Sequence, residues 1–120
     1  MILVDTSVWV DHLRHNVPLL GDLLEAGEVT THPFIIGELA CGHLSNRTEI
    51  LALLASLPLA RIATHAEALH LVAAHKLHGR GIGWIDAHLL ASAMLTGLPL
   101  WTRDRKLQQA TKALGIVEKA

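Results

Sequence analysis

Four carboxylates of this 120-residue chain, Asp5, Glu38, Asp86 and Asp104, stand where a carboxylate is either aimed at something or expensive to keep. Asp5 follows the apolar run Ile2-Leu3-Val4 and precedes the hydroxyls of Thr6 and Ser7, the pattern of a short buried strand that turns into a helix. Asp104 repeats the arrangement after the strand expected at Pro99–Thr102, so in a parallel sheet both acids lie at the carboxyl edge, where ligands bind. Ser7 or Thr6, and Thr102, add hydroxyls at that edge. Glu38 and Asp86 fall on or beside the apolar faces of helices, where an unpaired charge is costly.

Each acid has an ordinary explanation taken alone. Asp5 and Asp104 could be helix N-caps, typically worth ~1 kcal/mol each. Glu38 could lie at an exposed helix rim, and Asp86 could pair with Arg80. All four being innocent is the poorer account, because two interrupt apolar stripes and two share one sheet edge. Gathered in one pocket they would repel, since two unit charges about 4 Å apart cost ~4 kcal/mol at an effective dielectric near 20. Either some stay protonated or a divalent cation binds. Oxygen ligands with no cysteine cluster and no histidine triad favour Mg²⁺ or Mn²⁺ over Zn²⁺. Such an ion activates a water and polarises a phosphoryl oxygen, and a neighbouring carboxylate can orient or deprotonate that water.

The elements that must carry these residues can be read in order. Helices are expected at Thr6 to about His15, from Pro18 to Gly27, from Phe34 to Leu44 behind Pro33, from Arg47 to Leu57 behind Asn46 or Ser45, and from Ala66 to Leu77 behind Thr64. Later helices are expected at Ile85–Leu95 and from Asp104 onward. Strands are expected at Ile2–Val4, Glu28–Thr31, Leu59–Ala63, Pro99–Thr102 and, as an edge, Gly115–Val117. The glycine-rich stretch Gly79–Asp86 lacks the Gly-Lys-Ser/Thr ending of a phosphate loop and reads as a flexible connection. Strands alternating with helices argue for an α/β fold with a parallel sheet and right-handed crossovers.

The length suits one domain, 1–120. Hydrophobic content of 51% and a mean hydropathy of +0.38, with only Trp9, Phe34, Trp84 and Trp101 as aromatics, imply an aliphatic core and surplus apolar surface for another subunit or a partner. No apolar run approaches the roughly 20 residues of a membrane span, and Asp5 falls where a signal peptide tolerates no acid, so a cytoplasmic protein is expected. The lone Cys41 cannot form an internal disulfide and reads as a helical core thiol. His65 with His70, and His75 with His78, could in principle hold a transition metal but read as surface or core histidines. With a net charge of -1, any nucleic-acid contact must rest on local positive charge. Arg103, Arg105 and Lys106 beside Asp104 lead as phosphate contacts, with Arg80 second.

The segments Ile2-Leu3-Val4-Asp5-Thr6-Ser7-Val8-Trp9, the Glu38 helix, Trp84-Ile85-Asp86-Ala87-His88-Leu89-Leu90-Ala91 and Leu100-Trp101-Thr102-Arg103-Asp104, in that order, resemble the PIN-domain nucleases, specifically the VapC toxins of bacterial toxin–antitoxin pairs. The resemblance implies a PIN-like three-layer sandwich, a central short-stranded parallel sheet flanked by helices. It also implies a Mg²⁺- or Mn²⁺-dependent endoribonuclease acting on RNA such as transfer or ribosomal RNA, dimeric and held inactive by a VapB-type antitoxin. Asp5, Glu38, Asp86 and Asp104 match the acidic set of that family, and Ser7 and Thr102 its supporting hydroxyls. Many members carry a further acid shortly after the fourth, where Arg105-Lys106 stand here. One tightly held ion is therefore expected, a second arriving, if at all, with substrate. A catalytically inactive binding module on the same fold is the alternative. An aspartyl phosphohydrolase fits less well, since it wants a second Asp two residues after the first, where Ser7 stands.

Overall fold

A computed structural model describes residues 1–117, so the last three residues of the expected 1–120 domain lie outside the described ones. In chain order the elements are β1 (Ile2–Val4), α1 (Thr6–His15), α2 (Pro18–Glu25), β2 (Val29–Thr30), α3 (Pro33–Cys41), α4 (Arg47–Ser56), α5 (His65–Ala74), α6 (Trp84–Thr96), β3 (Leu100–Trp101) and α7 (Arg105–Leu114). The architecture is α/β, with helices packed around a three-stranded parallel sheet of order β2-β1-β3. Ile2 pairs with Val29 and Leu3 with Thr30 on one side, and Leu3 with Leu100 and Val4 with Trp101 on the other. β1 is thus central and wholly buried, as an uninterrupted apolar strand between two neighbours must be. Its last residue delivers Asp5 to the middle of the carboxyl edge.

Two expected strands shrink to single bridges, Thr31 with Leu59 and Leu100 with Val117. At 59–63 the reason is visible in the hydrogen bonds. Ala60 N–H still reaches Thr31 O, but Arg61 N–H donates to Thr96 Oγ1 and Ala63 N–H to Ser92 Oγ. Side chains of α6 have taken the donors that a ladder would need.

The core is aliphatic around one indole. Leu3, Val4, Val8, Trp9, Leu20, Ile35, Leu54, Leu89, Leu90 and Leu107 are fully buried, each aliphatic side chain contributing ~1.5–3 kcal/mol of transfer free energy. α6 is the innermost helix, buried continuously from Ala87 to Ala93. It stops at Gly97, whose φ of +74° gives the left-handed cap that glycine adopts without strain. α3 ends at Cys41, short of Leu44, because Gly42 turns to extended backbone. One expectation is corrected here. Cys41, in the last residue of α3, is exposed and is no core thiol. Ile85 is also exposed, because the burial of α6 begins one turn into the helix. Among the described residues no helix is long and apolar enough to cross a membrane.

Candidate active site

Asp5 is the N-cap of α1 and is only 6% exposed. Its Oδ2 accepts from Ser7 Oγ at 2.7 Å, from Thr102 Oγ1 at 2.8 Å and, at the long distance of 3.4 Å, from Ser7 N–H. The two hydroxyl oxygens lie 3.2 Å apart with both protons aimed at Asp5. Each in turn accepts a backbone N–H, Ser7 Oγ from Arg103 at 2.9 Å and Thr102 Oγ1 from Asp104 at 3.1 Å. The hydroxyls therefore sew the loop after β1 to the loop after β3 and fix one oxygen of a buried carboxylate. No hydrogen bond from the described residues reaches the other, Oδ1.

The same division recurs in the other three acids. Asp104 caps α7, its Oδ1 accepting from Leu107 N–H at 2.9 Å. Asp86 sits in the first turn of α6 with Oδ2 accepting from Gly83 N–H at 3.2 Å. Exposed Glu38 has Oε1 held by Thr6 Oγ1 at 2.8 Å. In each, the second oxygen has no hydrogen-bond partner among the described residues.

The four acids share one electrostatic field. Burial pushes the Asp86 carboxyl above its usual range, the Gly83 N–H opposes this, and the charges of Asp5, Asp104 and Glu38 add to it. None of the four forms an ion pair among the described residues, whose two ion pairs are Met1 N with Glu28 and Arg103 with Asp11. Arg80 in particular does not compensate Asp86. The acids also do not close into a cage, as no three of the described His, Cys, Asp and Glu side chains come near enough to enclose an ion. An all-oxygen donor set, uncompensated and open, fits a hard divalent cation that keeps part of its water shell.

The basic residues divide. Arg103, the leading phosphate contact from sequence, is held by Asp11 on α1 at 2.9 Å. Arg80, Arg105 and Lys106 are exposed and form no ion pair among the described residues. Lys106 lies on the backbone of Gly81.

Sequence reasoning passed over Thr6 as the holder of Glu38, and it missed His32 altogether. Fully buried His32 is the N-cap of α3, its Nδ1 accepting from Phe34 N–H at 3.0 Å and its Nε2 meeting Ser92 Oγ at 3.1 Å. With Nδ1 an acceptor, the ring proton is on Nε2 and points at Ser92. Burial first, and the charge of His88 second, hold the His32 imidazole below its usual range. A neutral His32 thus ties α3, and with it Glu38, to α6. The available signal was the residue before Pro33, the slot that caps a helix with proline at N1.

A strand-end carboxylate stitched to a second strand end, with two more acids brought in on α3 and α6, defines a class, and a family comparison gives it a name. The PIN domain family matches residues 2–113, and the chain belongs to that family. Within it the likeness is to the VapC ribonucleases. The chain is 47% identical over 117 residues, 97% of its own length and 94% of the relative's, to Ribonuclease VapC32 of Mycobacterium tuberculosis, in strains CDC 1551 / Oshkosh and ATCC 25618 / H37Rv. The crystal structure of PAE2754 from Pyrobaculum aerophilum aligns with a TM-score of 0.64 over 93% of this chain and 80% of that one. At 22% identity that is a likeness of fold.

Proposed function

We propose that this chain is a divalent-metal-dependent endoribonuclease toxin that hydrolyses RNA phosphodiester bonds, with transfer or ribosomal RNA as its substrate class and a VapB-type antitoxin as its restraint. The observation that carries the reading is buried strand-end Asp5, stitched to the Asp104 loop through Ser7 and Thr102, with Asp86 within electrostatic reach of both and of Glu38 and with no paired side-chain cation among the described residues. The printed name of its relative, Ribonuclease VapC32, supports the same class.

Asp5, Asp86, Asp104 and Glu38 would hold Mg²⁺ or Mn²⁺ through the oxygens their scaffold bonds leave free. When bound, the ion supplies polarisation of the phosphoryl group and activation of the attacking water. The chain's own part is positioning. Ser7 and Thr102 lock the rotamer of Asp5 against the next strand, Thr6 locks Glu38, and the α6 and α7 caps lock Asp86 and Asp104, so little reorganisation is left for the reaction. Arg80, Arg103, Arg105 and Lys106 are the RNA contacts of this reading. Leu59, Ile62 and Leu69, each half or more exposed, support a homodimer. An RNA target implies a cytoplasmic location.

The test is cleavage of total RNA by the purified chain with Mg²⁺ or Mn²⁺, with EDTA, and with Asp5→Asn in parallel. Discrete fragments that need metal and vanish in the variant are expected. Identical traces from folded wild type and variant would move the reading to a catalytically inactive nucleic-acid-binding module.

A further inference from the structure

We infer that Lys106, seated on Gly81, is the cation that holds the RNA phosphate beside the scissile bond; this rests on the ribonuclease reading above. Lys106 stands in the first turn of α7, two residues after Asp104. Gly81 stands in the connection to α6, two residues before Gly83, whose N–H holds Asp86. A Cβ added at Gly81 would lie 2.6 Å from Lys106 Cδ, 2.7 Å from Nζ and 3.0 Å from Cε, so the outer half of the lysine lies flat on bare backbone. The side chain therefore crosses from the helix start that carries Asp104 to the loop that secures Asp86.

The φ of +79° is what favours glycine at this seat, and a Cβ there would push the flexible end of the lysine aside. Lys106 nonetheless forms no ion pair with a carboxylate among the described residues. An exposed lysine ordinarily samples many rotamers, whereas one laid along a backbone presents its ammonium at a defined place. Its charge is left for an anion. A phosphodiester approaching four carboxylates needs such a charge to offset the repulsion. Arg103 is already engaged by Asp11.

The experiment follows binding of a fluorescein-labelled single-stranded RNA to the full chain by anisotropy across a salt series, in an Asp5→Asn background that leaves the RNA intact. Cleavage kinetics in the wild-type background run beside it. Lys106→Met is expected to weaken binding about tenfold at low salt and to flatten the log–log salt slope by about 0.7, one single-strand phosphate contact. KM should rise more than kcat falls. Lys106→Arg should recover most of the affinity, and Gly81→Ala, which keeps the lysine but evicts it, should lose at least threefold. Lys112→Met removes the same charge from the other end of α7 and should leave the slope unchanged. A Lys106→Met chain with wild-type affinity and slope overturns the assignment while the ribonuclease reading stands. A wild-type chain that neither binds nor cuts RNA overturns both.

Discussion

Replacing Asp86 with asparagine is expected to stabilise the metal-free protein and to abolish cleavage. The amide oxygen of asparagine can keep the bond from Gly83 N–H, which spans 3.2 Å in the native chain, so the start of α6 is preserved. What is lost is a negative charge at a helix N-terminus, worth ~0.3–1 kcal/mol. What is gained is relief from burial and from the charges of Asp5, Asp104 and Glu38. Like charges about one Debye length apart repel by ~2 kcal/mol at an effective dielectric near 20. Because Asp104 and Glu38 are exposed, solvent screening cuts their contributions to a fraction of that. The balance favours asparagine by ~1 kcal/mol at neutral pH, or about 4 °C in Tm for a chain of this size.

The pH dependence fixes the cause. A carboxyl raised above its ordinary 3.8 in the folded state binds its proton more tightly there than in the unfolded chain. Its penalty on folding is absent below 3.8 and grows as pH rises through the folded value. The advantage of Asp86→Asn should therefore be full at neutral pH and vanish in acid. Thermal melts in EDTA across that range measure it. Excess Mn²⁺ should then reverse the order, since a ligand at 100 times its Kd adds ~2.7 kcal/mol to the chain that binds it. A variant melting below wild type at neutral pH in EDTA would refute the claim that the acids are mutually frustrated.

Two further outcomes test the scaffold. Thr102→Val removes a donor from buried Asp5 and an acceptor from Asp104 N–H, so a loss of ~2–3 kcal/mol in denaturant titration is expected, with cleavage reduced at least tenfold. Unchanged stability would mean the hydroxyl does not support Asp5. His32→Ala removes the α3 cap and the Ser92 contact, a loss of ~3 kcal/mol read as a Tm drop of about 12 °C. A lowered histidine pKa contributes stability that is complete above its ordinary 6.5 and fades as pH falls towards the folded value. Wild type should thus lose stability below neutral pH more steeply than His32→Ala, and parallel melting profiles would sink that account.

The sheet edge was legible because its signals are local. Ile2–Val4 and Leu100–Trp101 announce themselves as apolar runs, and the acid after each begins a helix. What escaped depends on partners distant in sequence. Nothing in Leu59–Ala63 reveals that Ser92 and Thr96 will take its amide protons, 29 and 35 residues away. His32 is silent for the same reason, its second nitrogen answering to Ser92 60 residues on. Cys41 misled because an apolar residue near a helix end reads as core when only the helical period is consulted, and the early stop at Gly42 leaves it in water. The contact between Gly81 and Lys106 joins two segments that each read as solvated.

For Asp5 and Asp104 the sequence posed a choice between helix cap and site residue, and the geometry makes the two roles compatible. A carboxylate has two oxygens, and Asp5, Asp86 and Asp104 each spend one on a helix start and leave the other without a protein partner among the described residues. The cap orients the acid without using its second oxygen. Capping alone would not assemble the field these acids share, because three N-terminal acids on three separate helices stabilise those helices equally well when far apart. The charges of Asp5, Asp104 and Glu38 disfavour the ionised form of Asp86, a cost that the Asp86→Asn melts are expected to reveal. On the metal-dependent reading proposed above, a bound cation would offset that cost, so the ion's first readout is a change in stability and only then a change in rate.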